Sequence, residues 1–250
     1  MFLADLHIHS TFSDGEMTIP QIVDFYGVRQ FGCIAITDHL CESNTIMGIA
    51  ARCMSITLTQ ANFGDYLRTI EEESIRAWEQ YNMVVIPGFE LTKNTFSNHR
   101  SAHILGLGID RFQSAHGDVL DLIRGIKGQG GLAVAAHPVM TYKTELQTLH
   151  LWDRREELAE EVDAWEVASG DKIFEEVAGS GLPLLANSDL HRARQINSWK
   201  TIFRCERKAE AILQAIRMQQ LDFHFYRDPL KARSLQTLSD ASGLFSLQTT

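Results

Sequence analysis

The sequence FLADLHIHS, residues 2–10, places two histidines at the end of a short apolar run. Such a run predicts a β-strand over residues 2–7. Because side chains alternate between the two faces of a strand, the imidazoles of His7 and His9 are expected on one side, where both can bind one cation. A pair of this kind also occurs by chance, so its weight depends on the rest of the chain.

A second pair of ligand-type residues has the same spacing. Asp189 and His191 follow the predicted strand over residues 182–186. Five further ligand-type residues lie in other predicted strands or just after them: Asp14, His39, Glu90, His103 and His137. Taken singly, His103 could be an ordinary core histidine and Asp14 an ordinary turn residue. Taken together, six imidazoles and three carboxylates at strand ends favour a metal site.

Short apolar or β-branched runs alternate with helical stretches along most of the chain. Predicted strands cover residues 2–7, 33–37, 83–89, 102–109, 132–136, 164–168, 182–186 and 201–203. A capping-box pattern at Thr18 and Gln21 begins one predicted helix, which ends near Gly32, and others cover residues 65–81, 117–129, 156–161, 171–179 and 208–218. The alternation predicts an α/β fold, either a parallel barrel or a doubly wound open sheet. In a parallel barrel, the carboxyl ends of the strands would bring the nine residues together.

The composition limits the kind of protein and of substrate. A chain of 250 residues that is 44% hydrophobic can bury a full core as one domain. With 23 basic and 32 acidic residues, its net charge of −9 argues against a nucleic-acid partner and favours a small substrate. The first ten residues do not resemble a secretory signal, and no apolar run reaches the roughly 18 residues of a membrane span. A cytoplasmic protein is therefore expected.

The types of ligand indicate the chemistry of the site. Imidazole and carboxylate without thiolate are typical of zinc, manganese or iron. Three carboxylates against three divalent ions would leave a charge of about +3, which suits a phosphate dianion. Two metals about 3.5–4 Å apart can share a hydroxide as the nucleophile, so no serine or cysteine nucleophile is required. Arg192, Arg194 and Lys93 are the candidate residues for binding the substrate phosphate.

The ordered motifs HIHSTFSDG, ITDH, GFE, HILGLGI, AHP and SDLH resemble those of the PHP family, named for its polymerase and histidinol phosphatase members. The similarity spans residues 1 to about 205. It implies a distorted (β/α)7 TIM-like barrel. We expect this barrel to occupy residues 1–226 as a single domain, followed over residues 227–250 by a C-terminal extension of undefined structure. It also implies a two- or three-metal centre.

The family pattern divides the nine residues over three metals. The first would be bound by four residues, which would also hold the metal-bound hydroxide: His7, His9, Glu90 and Asp189. Glu90 would bridge to a second metal bound by His103 and His137. The third would be bound by Asp14, His39 and His191.

The resemblance implies a metal-dependent hydrolase that cleaves a small phosphate monoester. A PHP-type 3′–5′ exonuclease or phosphodiesterase is the alternative, although the net charge argues against it. An amidohydrolase-like C–N hydrolase is less favoured, because its carbamylated lysine would fall where this chain has Glu90, three residues before Lys93. A metal-stabilised binding module without turnover is a further hypothesis. The pattern defines neither the native metal nor the oligomeric state.

Overall fold

The computed structural model describes residues 1–139 and 148–230. Within them lie eleven strands: β1 Phe2–Asp5, β2 Cys33–Ile36, β3 His39–Cys41, β4 Val84–Lys93, β5 Ala102–Leu107, β6 Leu132–Ala135, β7 Ala164–Ser169, β8 Lys172–Ile173, β9 Leu184–Asn187, β10 Trp199–Phe203 and β11 Leu221–Phe225. The α-helices of the same ranges are α1 Ile19–Gly27, α2 Ile46–Cys53, α3 Phe63–Tyr81, α4 Val119–Lys127, α5 His150–Asp153, α6 Arg155–Leu158, α7 Glu175–Ala178 and α8 Ala209–Arg217. Most of the predicted extension, from residue 231 onward, lies outside the described residues.

One mixed sheet runs in the order β11-β10-β1-β2-β4-β5-β6-β7-β8, with β3 paired to β4 and β9 paired to β7. The segment that follows β9 lies beside the segment that follows β1. Ile8 and Leu190 form a parallel bridge there, and the backbone amide of His9 donates to the carbonyl of Leu190 at 2.9 Å. The sheet is thus curled, and the mixed α/β fold fits a TIM-like barrel, as the sequence predicts.

Both faces of the sheet are buried, which explains the nearly continuous apolar runs. One hydrophobic cluster joins the strands to helices α1, α3 and α4. A second cluster collects residues of the other strand face, among them Ile86 and Leu105, together with one side of α8. Because side chains alternate along a strand, Glu90 of β4 shares a face with Ile86, and His103 of β5 shares a face with Leu105. This face is therefore apolar at one end and carries ligand-type residues at the other.

The expectation of parallel strands throughout is wrong in two places. Strand β5 runs antiparallel to both β4 and β6, and β10 runs antiparallel to β1. His103 consequently lies near the amino end of its strand, not the carboxyl end, and the reversal is what places it beside Thr92 of β4. Apolar periodicity reveals that a strand exists but carries no information on its direction.

Element boundaries differ in several places from those predicted. The capping box of Thr18 and Gln21 is confirmed, but α1 ends at Gly27, before the predicted end near Gly32. Four elements were not predicted: strands β3 and β11 and helices α2 and α5. The predicted helix over residues 171–179 is a short strand, β8, followed by the single turn of α7.

None of the helices within residues 1–139 and 148–230 is both long enough and apolar enough to cross a membrane.

Candidate metal centre

The structure brings all nine predicted residues to one end of the curled sheet. They come from seven places along the chain: just after β1, the turn that follows, the start of β3, the middle of β4, the start of β5, and just after β6 and β9. Their side chains make a connected set of contacts, the longest of which is 3.6 Å.

Glu90 lies at the centre of the set. Its Oε1 atom is 2.9 Å from Nδ1 of His103 and 3.2 Å from Nε2 of His137. On the other side, its Oε2 atom is 2.7 Å from Nδ1 of His39 and 3.6 Å from Nε2 of His9. Since the two oxygens of one carboxylate face different histidines, Glu90 has the geometry of a bridging ligand.

Asp189 approaches the same centre from the opposite side. Its Oδ1 atom is 3.3 Å from Nε2 of His7 and 3.2 Å from Nε2 of His9. Asp189 and His137 both have backbones in the left-handed region, with φ of 52° and 28°. Such conformations cost about 1–3 kcal/mol in residues other than glycine and are concentrated at functional sites.

A turn after β1 supplies the outermost carboxylate. Asp14 Oδ1 lies 3.1 Å from Nε2 of His191 and 3.6 Å from Nε2 of His39. Gly15 permits this turn, because a Cβ atom at that position would lie 2.2 Å from the carbonyl oxygen of His9. The turn is therefore packed directly onto the chain that carries the first histidine pair.

In each of four groups of these residues, the potential ligand atoms lie within 4.8 Å of one another, close enough to bind one cation together. The groups are His9, Asp14, His39 and His191; His7, His9 and Glu90; His7, His137 and Asp189; and Glu90, His103 and His137. The second and third metal sets implied by the family resemblance each fall within one group. The first set is spread over two groups, because Asp189 is grouped with His7 and His137.

Residues that the sequence analysis did not single out hold the histidines in place. Glu166 of β7 is buried, with Oε1 3.0 Å from Nδ1 of His7, and its Oε2 accepts from the backbone amide of His137 at 2.8 Å. Thr92, Asn94 and Thr148 contact His39, His103 and His137 in the same way. Contacts of this type orient metal-binding imidazoles. Glu166 lies in the run AWEVAS, where a charge inside an apolar strand was the available signal.

The charges of the site are strongly coupled. Burial alone would raise the pKa of Glu90, but the neighbouring His103, His39 and His7 outweigh it and hold the pKa well below its usual range. Burial, together with the charges of His191 and His39, lowers the pKa of His9 to about 3. Glu90 and His9 thus form an ionised carboxylate beside a neutral imidazole, the protonation states that bind a metal. Despite burial, which alone would lower them, the neighbouring carboxylates raise the pKa values of four other histidines, His7, His39, His137 and His191.

The residues fit a bound cation. Within the cluster, five buried side-chain atoms have no hydrogen-bond partner among the described residues: Nε2 of His7, both ring nitrogens of His9, Oε2 of Glu90 and Oδ1 of Asp189. An unpartnered buried polar atom costs about 1–3 kcal/mol, so this group of atoms calls for a further partner. A divalent cation coordinated by Nε2 of His7, Nε2 of His9, Oε2 of Glu90 and Oδ1 of Asp189 would satisfy four of the five.

A cavity of about 580 Å³ opens onto this cluster. Its walls include Asp14, His191 and Asp189, and also two of the predicted phosphate-binding residues, Arg192 and Arg194. Arg192 is half exposed and lies 3.1 Å from Glu16, while Arg194 has no ion-pair partner among the described residues.

Lys93, the third predicted phosphate-binding residue, is not among the residues that line this cavity. Its Nζ atom donates to Glu42 at 2.8 Å and to the carbonyl of Ala115 at 3.1 Å. The structure therefore brings two of the three predicted basic residues to the cavity. The chain's other four histidines, His99, His116, His150 and His224, belong to none of the four ligand groups.

Comparisons with known proteins agree with this geometry. No family profile matches the chain. The phosphoribosyl 1,2-cyclic phosphate 1,2-diphosphodiesterase of Eggerthella lenta is 28% identical over 108 residues, which cover 43% of this chain and 31% of that enzyme. The chain thus matches less than a third of the length of this curated relative.

A two-domain protein from Bacteroides vulgatus that contains a predicted PHP-like metal-dependent phosphoesterase superposes on 90% of the chain, with a TM-score of 0.63 and 20% identity. The fold is PHP-like. The chain spans 65% of that protein's length. The PHP-like fold extends to a protein from Bifidobacterium adolescentis named as a metal-dependent phosphoesterase, with a TM-score of 0.50, 16% identity and coverage of 76% of this chain and 88% of that one.

A third solved structure is an amidohydrolase from Chromobacterium violaceum with bound sulfate and no metal. It has a TM-score of 0.50 and 19% identity, and the match covers 75% of this chain and 87% of that one. The resemblance to PHP proteins that the motifs predict is confirmed by these comparisons. The names of the relatives also agree with the predicted hydrolase class.

Proposed function

We propose that this protein is a metal-dependent phosphoesterase of the PHP type that hydrolyses a small phosphate monoester. One observation carries the proposal: nine imidazoles and carboxylates form one connected cluster around Glu90, and five of their buried polar atoms have no hydrogen-bond partner among the described residues. The PHP-like fold and the phosphodiesterase relative support the same class of reaction.

The proposed centre holds two or three divalent ions, zinc, manganese or iron, in the sets implied by the family resemblance. Bound there, the ions would supply Lewis acidity and would lower the pKa of a coordinated water. One of these ions would be bound by His7, His9, Glu90 and Asp189. Glu166 orients the ring of His7 through its contact with the Nδ1 atom. In the overall reaction, the oxygen of water bonds to phosphorus, the ester P–O bond breaks, and the alcohol leaves with a proton.

The residues that line the cavity at the metal centre support the binding of a phosphate group. Arg192 and Arg194 line it together with the ligand residues, and their guanidinium groups can bind phosphate oxygens in pairs. The sulfate in the structurally similar amidohydrolase is an anion of related shape. Lys93 is excluded from this part of the proposal by its bonds to Glu42 and Ala115.

A phosphodiesterase is the second candidate, because the curated relative is named as one. A monoester is favoured because its phosphate group is a dianion, which matches the residual positive charge at the metal centre. An amidohydrolase reaction has less support. The lysine considered for carbamylation, Lys93, is already paired with Glu42 and does not line the cavity at the metal centre.

The fold completes the proposal. Strands β1, β2, β4, β5, β6, β7 and β9 would form a distorted (β/α)7 barrel, which closes where Ile8 bridges to Leu190. Residues 1–226 would make up this single domain.

The deciding experiment is a phosphate-release assay over a panel of mono- and diesters, after reconstitution with manganese or zinc. Asp189→Asn is expected to lower kcat/KM by at least about 100-fold, since it removes a ligand charge. Asp171→Asn, an exposed change in the same part of the chain, serves as the control. If only diesters were hydrolysed, the substrate would be assigned as a phosphate diester and not as a monoester. No turnover at all, with two or more bound metals, would contradict the enzyme and favour a metal-stabilised binding module.

A further inference from the structure

A second cavity of about 420 Å³ shares a wall with the metal centre. Asp14, His39, Asn94 and His103 line both this cavity and the one that carries the arginines. The remaining walls of the second cavity come mainly from helix α2 and from the loop between β4 and β5. A ligand bound at the metals can therefore extend into it directly.

Apolar side chains form most of these walls. They include Ile46, Met47 and Met54 of the α2 region, Ile56 just beyond it, and Phe96 of the loop. Three of the five are unusually exposed for residues of their type: Phe96 is 85% exposed, Ile46 72% and Met54 62%. A group of exposed apolar side chains around a cavity commonly marks a binding site.

The cavity has little to offer a polar or charged ligand. Within residues 1–139 and 148–230, its charged or titratable lining residues are Asp14, Cys41 and the two histidines, and no lysine or arginine of these ranges lines it. A second phosphate or a carboxylate would therefore find no lysine or arginine partner among the described residues. The hydroxyl and amide groups of Thr45, Thr92 and Asn94 are too few for the many hydroxyls of an open sugar. An apolar ring would bury the exposed walls without leaving polar groups unpaired.

From these observations we infer that the alcohol part of the substrate is an apolar, aromatic group, and that it binds in the cavity between α2 and Phe96. This inference rests on the proposed phosphoesterase function, because it uses the metal centre as the place where the phosphate is bound. Phe96, Met54 and Ile46 then determine specificity. These side chains contribute apolar contact with the ring, whereas the phosphate is bound outside their reach, at the metal centre.

The test compares two esters of primary alcohols, so that the leaving groups are chemically alike: 2-phenylethyl phosphate and glycerol 3-phosphate. The expected kcat/KM is at least about tenfold higher for the aromatic ester, which corresponds to burying most of one ring. Phe96→Ala and Met54→Ser are expected to reduce this preference about three- to tenfold each, mainly through KM. Both residues are exposed, so neither change threatens folding.

Matched controls are exposed apolar residues elsewhere. Trp78→Ala on α3 and Met218→Ser after α8 are expected to leave the preference unchanged. A binding measurement with the non-hydrolysable 2-phenylethylphosphonate gives a readout that does not depend on turnover. Weaker binding to Phe96→Ala than to Trp78→Ala supports the aromatic site.

The outcomes separate the two proposals. Equal kcat/KM for both esters, unchanged by Phe96→Ala, would overturn the aromatic site and leave the phosphoesterase standing. Phosphonate binding that depends on Phe96, with no hydrolysis of any ester, would support the site and reject the enzyme. Absence of both hydrolysis and phosphonate binding would reject both.

Discussion

At the scale of single residues, Glu166 and Glu90 show how buried carboxylates divide their tasks. Both are fully buried. Glu90 has one oxygen without a hydrogen-bond partner and faces five histidines, as expected of a ligand. Both oxygens of Glu166 are used on the protein: one contacts His7 and Asn187, and the other accepts from the amide of His137. Glu166 is therefore a positioning residue.

Glu166→Gln is expected to weaken metal binding about 10- to 100-fold, because an amide orients the ring of His7 less strongly than a carboxylate does. The measurement is metal content after equilibration with a competing chelator, which does not require turnover. Glu161→Gln, on the surface near α4, is the control. Equal metal affinity of both variants would show that the contact between Glu166 and His7 has no orienting role.

At the scale of elements, the turn after β1 and the reversed strand β5 decide which residues reach the centre. Gly15 lets the turn that carries Asp14 lie against the carbonyl of His9. The antiparallel direction of β5 places His103 at the same end of the sheet as residues from the ends of parallel strands. The proposed second and third ligand sets thus depend on backbone features that the sequence around their residues does not reveal.

Gly15→Ala is expected to lower the free energy of unfolding by about 1–3 kcal/mol and to displace Asp14, because the new Cβ meets backbone atoms that cannot move independently. Metal analysis should show the loss of the ion nearest Asp14 before any other. Gly64→Ala is a suitable control, since a Cβ atom there has nothing within 4 Å and lies in a helix, where alanine is favoured. Equal metal content and stability in both variants would contradict the role of this turn.

At the scale of the whole molecule, a buried ion pair links strands β1 and β10 beside the candidate metal centre. Asp5 of β1 lies 2.8 Å from Lys200 of β10, and neither side chain is exposed. Asp5 also accepts from the hydroxyl of Tyr26 on α1 and from the backbone amide of Ser188, next to Asp189. Burial lowers the pKa of Lys200, and the charge of Asp5 opposes this effect.

Lys200→Met is expected to lower the free energy of unfolding by about 3–5 kcal/mol, because it leaves a buried carboxylate without its cation. Adding Asp5→Asn should recover part of the loss, which a double-mutant cycle in denaturant would measure. Arg204→Met, which removes the exposed pair between Arg204, just after β10, and Asp222 of β11, should cost less than about 1 kcal/mol. A loss of similar size in Lys200→Met and Arg204→Met would contradict the importance of the buried pair.

Removal of metal is expected to lower the thermal stability of the whole molecule. Ligand at about 100 times its Kd contributes about 2.7 kcal/mol, which corresponds to about 5–10 °C in Tm for a domain of this size. Thermal unfolding with and without a chelator, followed by addition of manganese or zinc, measures the effect. An unchanged Tm at saturating metal would argue against binding by the folded state.

Local sequence was sufficient for the ligand-type residues and for most of the strands. The pair His7 and His9, and the pair Asp189 and His191, could be recognised because a period of two and a position after an apolar run are local properties. The same holds for the capping box of Thr18 and Gln21, which the structure confirms.

Strand direction, closure and the second cavity required the tertiary structure. Nothing in the run around His103 indicates that β5 is antiparallel, and nothing near Glu166 or Phe96 reveals their neighbours. These features depend on contacts between residues far apart in the chain, such as Ile8 with Leu190. The sequence alone therefore determined which groups could bind a metal. Only the packing of distant segments decided that they meet, what orients them, and which apolar walls stand beside them.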